Sequence, residues 1–443
     1  MIEAPTRPKD TDAEFAPGGK PAAHPFAVMY QGEYETPWDG TAVAVRLHAR
    51  ALASSGIPVF LKSFTGTIID EHGGIGNVHI GGLPDDVRRE IGELDRTTAS
   101  ALCPVVKHLV VRDAEHLKKV IIPQGAIALT SAGVEADMAM RQHIYDNTIV
   151  YSVWERDRVD PGIARILSRV AENWVPCHDN RDMLIRSGVP ADKVVVIPHP
   201  YDPGDPILKL RQRRPDLRWR KFYSIGRWEP RKAYAELVEA FLMAFTPKDL
   251  VALTIKYTGG NWPGYEHPEN LLARLRADES IQARGWTIRA IADRVHLREG
   301  RFPKPEILKL HYRNNIYVCS SHGEAWCLPA FEAALAGNRL CYVDAGGVRD
   351  FADPVTDSCA RLPAFEPVPD SYRWEAGAQW SEVTVPRLAG LLAYTSSPTD
   401  HSAPSPHLSA FRLRTVGQLM KERVLAVAAR RPPALEYYRK ITP

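Results

Sequence analysis

The chain has 443 residues, a hydrophobic content of 44% and a formal net charge of +3. This length is enough for two domains of ordinary size, and the nearly balanced charge argues against a chain devoted to coating nucleic acid or membrane, although a local basic face stays open. The six cysteines show no CxxC or metal-ligand spacing, no apolar run approaches the length of a membrane-spanning helix, and the polar residues 1–24 contain no apolar signal segment. We therefore expect a cytoplasmic protein whose cysteines lie in a reducing compartment.

The first half of the chain alternates short apolar runs with helical stretches. A flexible tail is expected over residues 1–24, and helical periodicity covers Ala42–Ser54 and Ile163–Glu172. Buried strands are predicted at Phe26–Tyr30, Pro58–Leu61, Lys119–Ile122, Thr148–Ser152 and Lys193–Ile197. Alternation of this kind indicates βαβ units and a parallel sheet.

A second set of alternating elements follows. Its predicted strands are Phe222–Ile225, Val251–Ile255, Arg294–Leu297, Ile316–Cys319 and Arg339–Val343, and its predicted helices are Ala235–Phe245, Pro305–Tyr312 and Pro329–Ala336. Two such sets predict two Rossmann-like domains. The polar stretch 257–284 is expected to be a loop or an insertion, and the residues from about 385 onward have helical character.

The junction between the two sets, residues 201–221, is rich in proline and then in cations. Pro203 and Gly204 open it, and a basic run extends from Lys209 to Lys221. One interpretation is a solvated connector between the domains. The other is a surface for an anionic partner such as DNA or a charged lipid.

Two carboxylates, Glu324 and Glu332, frame a short stretch that contains a helix start. Pro329 suits the first helical turn, where its missing N–H costs nothing, so Glu324 is predicted in the loop before the helix and Glu332 in its first turn. The free N–H groups of Cys327 and Leu328 would then form an anion site. Carboxylates beside such a site can accept hydrogen bonds from the hydroxyls of a sugar or ribose.

A pair of cations lies where the second domain begins. A strand ends at Gly226-Arg227, and Lys232 follows across a turn marked by Pro230. Arginine offers a forked set of donors and lysine a compact charge, so the pair is suited to hold a diphosphate. The cations and the two carboxylates together point to a sugar nucleotide, which combines hydroxyls with a diphosphate.

These residues give the chain a resemblance to the GT-B glycosyltransferases of the large retaining family 4. Gly226-Arg227 with Lys232, and Glu324 with Glu332 around Trp-Cys-Leu-Pro, carry the resemblance, which extends over about residues 145–352 and is weak before residue 140. It implies an α/β protein with two Rossmann-like domains that face each other across a cleft, and C-terminal helices that return to the first domain.

The resemblance also implies a domain plan and an activity. Residues 25–204 would form an N-terminal acceptor domain, residues 205–384 a C-terminal donor domain, and residues 385–443 a helical segment. The enzyme would move a sugar from a nucleotide-diphosphate sugar, such as a UDP- or GDP-sugar, to an acceptor hydroxyl, with retention of the anomeric configuration.

Carried onto this chain, the family pattern implies roles for individual residues. Arg227 and Lys232 neutralise the leaving diphosphate. Glu324 contacts the transferred sugar and stabilises positive charge near its anomeric carbon, and Glu332 binds the ribose hydroxyls. Further donor contacts are expected from the residues that border these positions, namely Gly226, Lys256, His322, Gly323, Trp326, Cys327 and Leu328.

The acceptor side departs more from the family. The turn between the first strand and helix reads Asp39-Gly40-Thr41, with one glycine where two are usual, so it is either an anion or acceptor contact at a helix start or ordinary turn chemistry. Glu155 follows a strand at a position where many members of the family carry a histidine. It either orients a hydroxyl or begins a helix.

No convincing DxD-like pair ends a strand in this sequence, so we predict no obligatory metal and no other cofactor. The acceptor is open among a saccharide, a lipid-linked sugar, a small metabolite and a modified base in DNA. A non-catalytic protein that binds nucleotide sugar or nucleic acid on the same fold is the alternative to an enzyme. The intact set of Arg227, Lys232, Glu324 and Glu332 favours the enzyme.

Overall fold

The structure is a computed structural model. It describes residues 28–32, 40–62, 67–69, 75–77, 104–111, 113–121, 141–212, 218–344, 346–354, 357–360, 365–369, 377–395 and 406–430. The expected N-terminal tail and Asp39 lie outside the described residues.

The first domain is built on a parallel sheet. Its strands and a separate antiparallel hairpin are, in chain order, β1 (Val28–Gln31), β2 (Val59–Lys62), the hairpin β3 (Thr67–Ile69) and β4 (Ile75–Asn77), β5 (Val105–Leu109), β6 (Thr148–Ser152), β7 (Glu172–Val175) and β8 (Val194–Val196). Within the described residues the sheet order is β2-β1-β5-β6-β7-β8, with every pair parallel. Every residue of β6 is buried, as expected for a central strand covered on both faces.

Helices connect these strands. They are α1 (Gly40–Ser54), α2 (Ala114–Ile121), α3 (Pro161–Leu167) and α4 (His178–Arg186). Local sequence explains their starts: the Asp160 side chain caps α3 by accepting a hydrogen bond from the N–H of Gly162 at 2.7 Å, and Pro161 fills the first helical position.

The second domain repeats the plan. Its strands are β9 (Arg220–Trp228), β10 (Val251–Gly259), β11 (Val295–Glu299), β12 (Ile316–Cys319), β13 (Arg339–Val343) and β14 (Ser358–Ala360), followed by the antiparallel pair β15 (Phe365–Pro367) and β16 (Gln379–Ser381). Its helices are α5 (Tyr234–Ala244), α6 (Pro268–Ala277), α7 (Glu279–Ala283), α8 (Ile288–Arg294), α9 (Lys304–Arg313) and α10 (Leu328–Leu335). The main sheet is parallel in the order β11-β10-β9-β12-β13-β14.

That strand order positions the site. The direction of chain progression reverses between β9 and β12, which is a topological switch point. In open α/β sheets, ligands bind in the crevice outside the carboxyl ends of the strands at such a point.

The last two helices are α11 (Val385–Tyr394) and α12 (Leu413–Ala429). Leu388 of α11 belongs to the core of the second domain, whereas Val416 and Met420 of α12 belong to the core of the first. Buried Glu172 at the start of β7 pairs with Arg423 of α12. The expected return of the C-terminal chain to the first domain is therefore confirmed for α12.

Two predicted elements were wrong, and one alternative for a third is excluded. Lys119–Ile121 is the end of helix α2 and not part of a strand, because Leu117 and Ile121 share one buried helical face. The helix predicted through Glu172 ends at Leu167, and Glu172 opens strand β7. The polar stretch 257–284, expected to be a loop or an insertion, is not an irregular loop. It holds the end of β10 and helices α6 and α7, and the buried Leu271 and Leu275 of α6 are four residues apart.

Strand β5 escaped prediction. It carries two polar residues, Lys107 and His108, in a five-residue run. Both are buried: Lys107 Nζ donates to Gln31 Oε1 at 2.8 Å and to the Val120 carbonyl at 2.8 Å. A buried polar side chain whose hydrogen bonds are all made interrupts the apolar sequence pattern but does not destabilise the strand.

Candidate functional site

Two loops flank the switch point of the second sheet. One follows β9 and passes through the 3₁₀ turn Pro230–Lys232, and the other runs from Ser320 to Cys327 between β12 and α10. Within the described part of the chain, left-handed backbone at non-glycine positions occurs at Ala233 (φ 50°) and Cys327 (φ 66°), one in each loop. Strained backbone of this kind concentrates at functional sites.

A buried ion pair joins the two loops. The Lys232 ammonium donates a short hydrogen bond to Glu324 Oε1, and the side chains are only 13% and 5% exposed. Ser321 Oγ donates to the same carboxylate oxygen at 2.6 Å. Burial acts to raise the pKa of Glu324, but Lys232 and Arg231 outweigh it and lower this pKa to about 2, so the carboxylate is ionised at neutral pH.

Arg231 is a central residue that the sequence did not single out. Its guanidinium contacts Glu229 Oε1 at 2.8 Å, Glu324 Oε1 at 3.3 Å and the carbonyl oxygen of Gly323 at 2.9 Å. Its side chain is 11% exposed. Adjacency to Lys232 in a short cationic turn was the available signal, and that signal does not separate a surface arginine from a buried one.

Arg231 also reaches the first domain. Its Nε lies 3.0 Å from Glu155 Oε2, and Glu155 follows the carboxyl end of β6. An ideal Cβ on Gly323 would lie 2.2 Å from the Glu155 carbonyl oxygen, so the two backbones pack as closely as glycine allows. The carboxyl ends of the two sheets therefore meet at this junction.

Glu155 lies close to a second carboxylate. Partial burial raises its pKa, Arg231 opposes that rise, and Glu324 adds to it. The side chain keeps 35% of its surface exposed, which leaves it open to a ligand in the cleft. Of the two alternatives for Glu155, the structure excludes a helix start, because α3 begins at Pro161.

Other interdomain contacts fix this arrangement. The His178 N–H and Nδ1 each lie 2.9 Å from Asp350 Oδ2. The Asp157 N–H donates to the Gln379 carbonyl at 3.0 Å, and the Gln379 N–H donates to Asp157 Oδ1 at 2.6 Å.

Two other predicted donor ligands, a cation for the diphosphate and a carboxylate for the ribose, lie nearer the surface. The cation, Arg227, is the penultimate residue of β9 and is exposed. Glu332 is 40% exposed, with Oε2 3.5 Å from His311 Nε2. Glu332 is the fifth residue of α10 and lies in its second turn, so its predicted place in the first turn was wrong; the helix starts at Leu328, one residue before Pro329.

Gly226 and Lys256 lie within the carboxyl-terminal halves of the neighbouring strands β9 and β10. A Cβ on Gly226 would meet the Tyr234 hydroxyl at 2.5 Å, so a side chain does not fit there. Lys256 is 8% exposed and lies over the Phe302 ring at 5.6 Å. Burial and then Arg301 lower the pKa of Lys256.

His322 and Trp326 are packed. His322 Nδ1 lies 2.8 Å from the Ser381 carbonyl and 2.9 Å from Glu366 Oε1, and the ring stacks on Trp380 at 4.7 Å. Trp326 is 2% exposed in an aromatic cluster with Phe331, Phe351 and Phe411. These contacts indicate that both side chains support the loop.

The start of α1 lies beside the loop between β12 and α10. An added Cβ on Gly40 would lie 3.6 Å from Leu328 Cδ1, so the start of α1 lies against the start of α10. Thr41 is half-buried in the first turn of α1. Arg213 and Arg214 of the cationic run at the domain junction lie outside the described residues.

Comparisons with known proteins support the fold. No family model and no curated protein matches the chain. Among solved structures, Anabaena HepE in complex with UDP-glucose aligns with a TM-score of 0.53 at 12% identity, over 90% of this chain and 100% of that chain. The lipopolysaccharide outer core galactosyltransferase WaaB aligns with a TM-score of 0.52 at 13% identity, over 90% and 99%.

A third structure gives the same result. The α,α-trehalose 6-phosphate synthase of Burkholderia multivorans aligns with a TM-score of 0.53 at 12% identity, over 91% of this chain and 99% of that chain. Identities this low establish the fold alone. The chain has the GT-B fold, with two Rossmann-like domains that face each other across a cleft. Among the described residues, no helix combines the length and the apolar character needed to cross a membrane.

Proposed function

We propose that this protein is a glycosyltransferase that moves a sugar from a nucleotide-diphosphate sugar to an acceptor hydroxyl with retention of configuration, as in GT-B enzymes of family 4. The observation that carries the proposal is the buried cluster of Lys232, Arg231 and Glu324 at the switch point, where both domains meet. The solved structures with the same fold include one bound to UDP-glucose, which agrees with this donor class.

The cations supply what the departing diphosphate requires. Negative charge grows on the leaving group as the sugar–phosphate bond breaks, and preorganised positive charge in a site shielded from water stabilises it most. Lys232 is held in place by Glu324. Burial and Arg231 act to lower the pKa of Lys232, but Glu324 raises it above its usual range. In this proposal Arg227, exposed near the end of β9, neutralises the part of the diphosphate that lies farther from Lys232.

The carboxylates serve the sugar. Ionised Glu324 stabilises positive charge that develops near the anomeric carbon, and Glu332 binds ribose hydroxyls. Glu155 comes from the first domain and orients the acceptor hydroxyl. No metal is required in this scheme, so transfer is expected to survive a strong chelator; loss of transfer with rescue by Mg²⁺ or Mn²⁺ would contradict that.

A thermal-shift screen with UDP-, GDP-, ADP- and TDP-sugars identifies the donor. A ligand at about 100 times its Kd stabilises the folded protein by about 2.7 kcal/mol, and one of these sugars is expected to do so. The product's anomeric configuration, read by NMR, tests retention.

Donor hydrolysis separates an enzyme from a binding protein. Release of nucleoside diphosphate by the wild type should fall by about 100-fold or more in Glu324→Gln, in line with removal of a group that acts on the transition state. The matched control is Glu279→Gln at the exposed start of α7, which should keep wild-type turnover. Equal traces from all three proteins would leave only binding.

A further inference from the structure

A pair of buried thiols lies against the proposed donor site. Cys319 ends β12 and Cys327 precedes α10, and their sulfurs are 3.9 Å apart. The two residues are 4% and 8% exposed. Cys327 adopts left-handed backbone, φ 66° and ψ 73°, a conformation that disfavours L side chains.

The thiols are linked to the catalytic carboxylate. Cys319 Sγ lies 3.9 Å from Ser321 Oγ, and Ser321 Oγ donates to Glu324 Oε1 at 2.6 Å. The two sulfurs and a Glu324 oxygen all lie within 4.8 Å of one another. A divalent cation there would face the ammonium of Lys232, which contacts the Glu324 carboxylate, so like-charge repulsion disfavours a metal.

We infer that Cys319 and Cys327 form a reversible disulfide under oxidation by a peroxide, and that this bond switches off the donor site. The inference rests on the proposed function for its effect on transfer. The bond itself rests on the sulfur geometry alone.

The chemistry balances with a peroxide as oxidant. The Cys319 sulfur attacks one peroxide oxygen, the O–O bond breaks, and with H₂O₂ the leaving hydroxide takes up a proton to become water. The Cys327 sulfur then attacks the sulfenic sulfur, the S–S bond forms, and the S–O bond breaks to release a second water. Two thiols lose two electrons and two protons, and a dithiol reductant reverses the change.

The pKa values of the two thiols are shifted in opposite directions. The contact with Cys327 lowers the pKa of Cys319 despite its burial, whereas that contact and burial raise the pKa of Cys327. The thiolate is the nucleophile in such reactions. Cys319 is therefore the attacking residue and Cys327 the resolving one.

Forming the disulfide moves the loop between β12 and α10. A disulfide needs about 2.05 Å between sulfurs, so the present separation of 3.9 Å must shrink by about 1.9 Å. The loop between the cysteines contains Glu324. A misplacement of about 1 Å at a reacting group costs about 100-fold in rate, so transfer should fall by about that factor.

The bond is detected independently of activity. The full-length protein is treated with hydrogen peroxide, alkylated and digested with a glutamate-specific protease, which cuts after Glu324 between the two cysteines. A crosslinked product that dithiothreitol separates is expected from the wild type and from Cys359→Ser, which removes an exposed cysteine. It should be missing from Cys319→Ser, or from Cys319→Ala if the serine variant does not fold.

Transfer is measured on the same samples. Peroxide should lower the wild-type and Cys359→Ser rates by about 100-fold, with recovery on reduction, and should leave the rate of Cys319→Ser unchanged relative to its own untreated sample. Failure to find the crosslink overturns the inference, and so does a crosslinked protein with an undiminished rate. If no nucleotide sugar is bound or used, the proposed function fails while crosslink mapping still decides whether the thiols pair.

Discussion

Adding one methyl group at the domain junction should separate the two halves of the site. In Gly323→Ala, the new Cβ would lie 2.2 Å from the Glu155 carbonyl oxygen, whereas ordinary contacts begin at 3.4 Å. The difference, 3.4 minus 2.2, is about 1.2 Å and cannot be absorbed by side-chain rotation, because the obstructing atom is backbone. The domains must move apart locally by about this distance.

The displacement acts on the contact between Arg231 and Glu155, whose atoms are now 3.0 Å apart. Misplacement by about 1 Å costs about 100-fold, which corresponds to about 2.7 kcal/mol of transition-state stabilisation. We expect kcat/KM for sugar transfer to fall by that factor, while donor binding measured by thermal shift changes much less, because the proposed donor ligands Arg227, Lys232 and Glu332 all belong to the second domain.

The control is Gly390→Ala. Gly390 lies inside α11, where an added Cβ meets nothing within 4 Å, so alanine there should preserve the rate. If Gly323→Ala transferred sugar within about twofold of the wild type, the close junction seen here would not be the reactive geometry, and the role given to Glu155 would be refuted.

Three further predictions concern stability. Arg231→Ala should lower the free energy of unfolding by about 3 kcal/mol, because it leaves Glu324 buried with one cation fewer. Arg231→Lys should lower it by less, because lysine keeps the charge but lacks the forked donors of the guanidinium. Denaturant titration measures both changes. Gly417→Ala should cost about 1–3 kcal/mol by the same titration, since its Cβ would lie 1.9 Å from the Ala51 carbonyl oxygen and push α12 off α1. Burial lowers the pKa of His48 to about 4, so this side chain binds more protons in the unfolded state below about pH 6.5, and His48 alone should lower the free energy of unfolding by about 3 kcal/mol as pH drops to about 4. Burial also lowers the pKa of the neighbouring His108 and His199, which add to the fall.

Each of these has its own control. Arg274→Ala breaks pairs whose arginine is 46% exposed, and should cost at most about 1 kcal/mol; an equal loss for Arg231→Ala would contradict the buried cluster. Gly390→Ala should stabilise α11 slightly, by about 0.5–1 kcal/mol, and a similar gain for Gly417→Ala would refute the tight packing. His48→Gln should show a drop between about pH 6.5 and pH 5 that is smaller by about 2 kcal/mol; an unchanged drop would assign it to other groups.

Local patterning predicted much of the fold. Thr148–Ser152 is a strand with the predicted bounds, because a run of apolar and β-branched residues has no competing helical period. The failures lie where tertiary contacts decide. Strand β5 buries Lys107 only because Gln31 on the neighbouring strand and a carbonyl of α2 receive its hydrogen bonds, and neither partner is visible from the local sequence.

The residues of the candidate site were also only partly predictable from local sequence. Spacing and residue type drew attention to Lys232 and Glu324, which the structure brings into direct contact. Nothing local distinguishes Arg231 from the exposed Arg227, because their difference arises from how the turn after β9 folds beneath the loop after β12. The ion pair between Arg231 and Glu155 joins the two domains. Its partners are 76 residues apart in the sequence, so no local sequence pattern could predict the contact.

The carboxylates at the domain junction outnumber the cations that they contact. Glu155, Glu229 and Glu324 share two cations, Arg231 and Lys232, so full ionisation would leave an excess negative charge in a confined space. The pKa of Glu324 is held low and that of Glu155 is raised, and such divergence between neighbouring carboxyl groups marks separate acid–base assignments. In the proposed function, Glu324 therefore stays ionised beside the donor sugar, and Glu155 is the group able to exchange a proton. Because Glu155 enters from the first domain, that proposal makes proton exchange with the acceptor depend on the same domain contact that Gly323 permits.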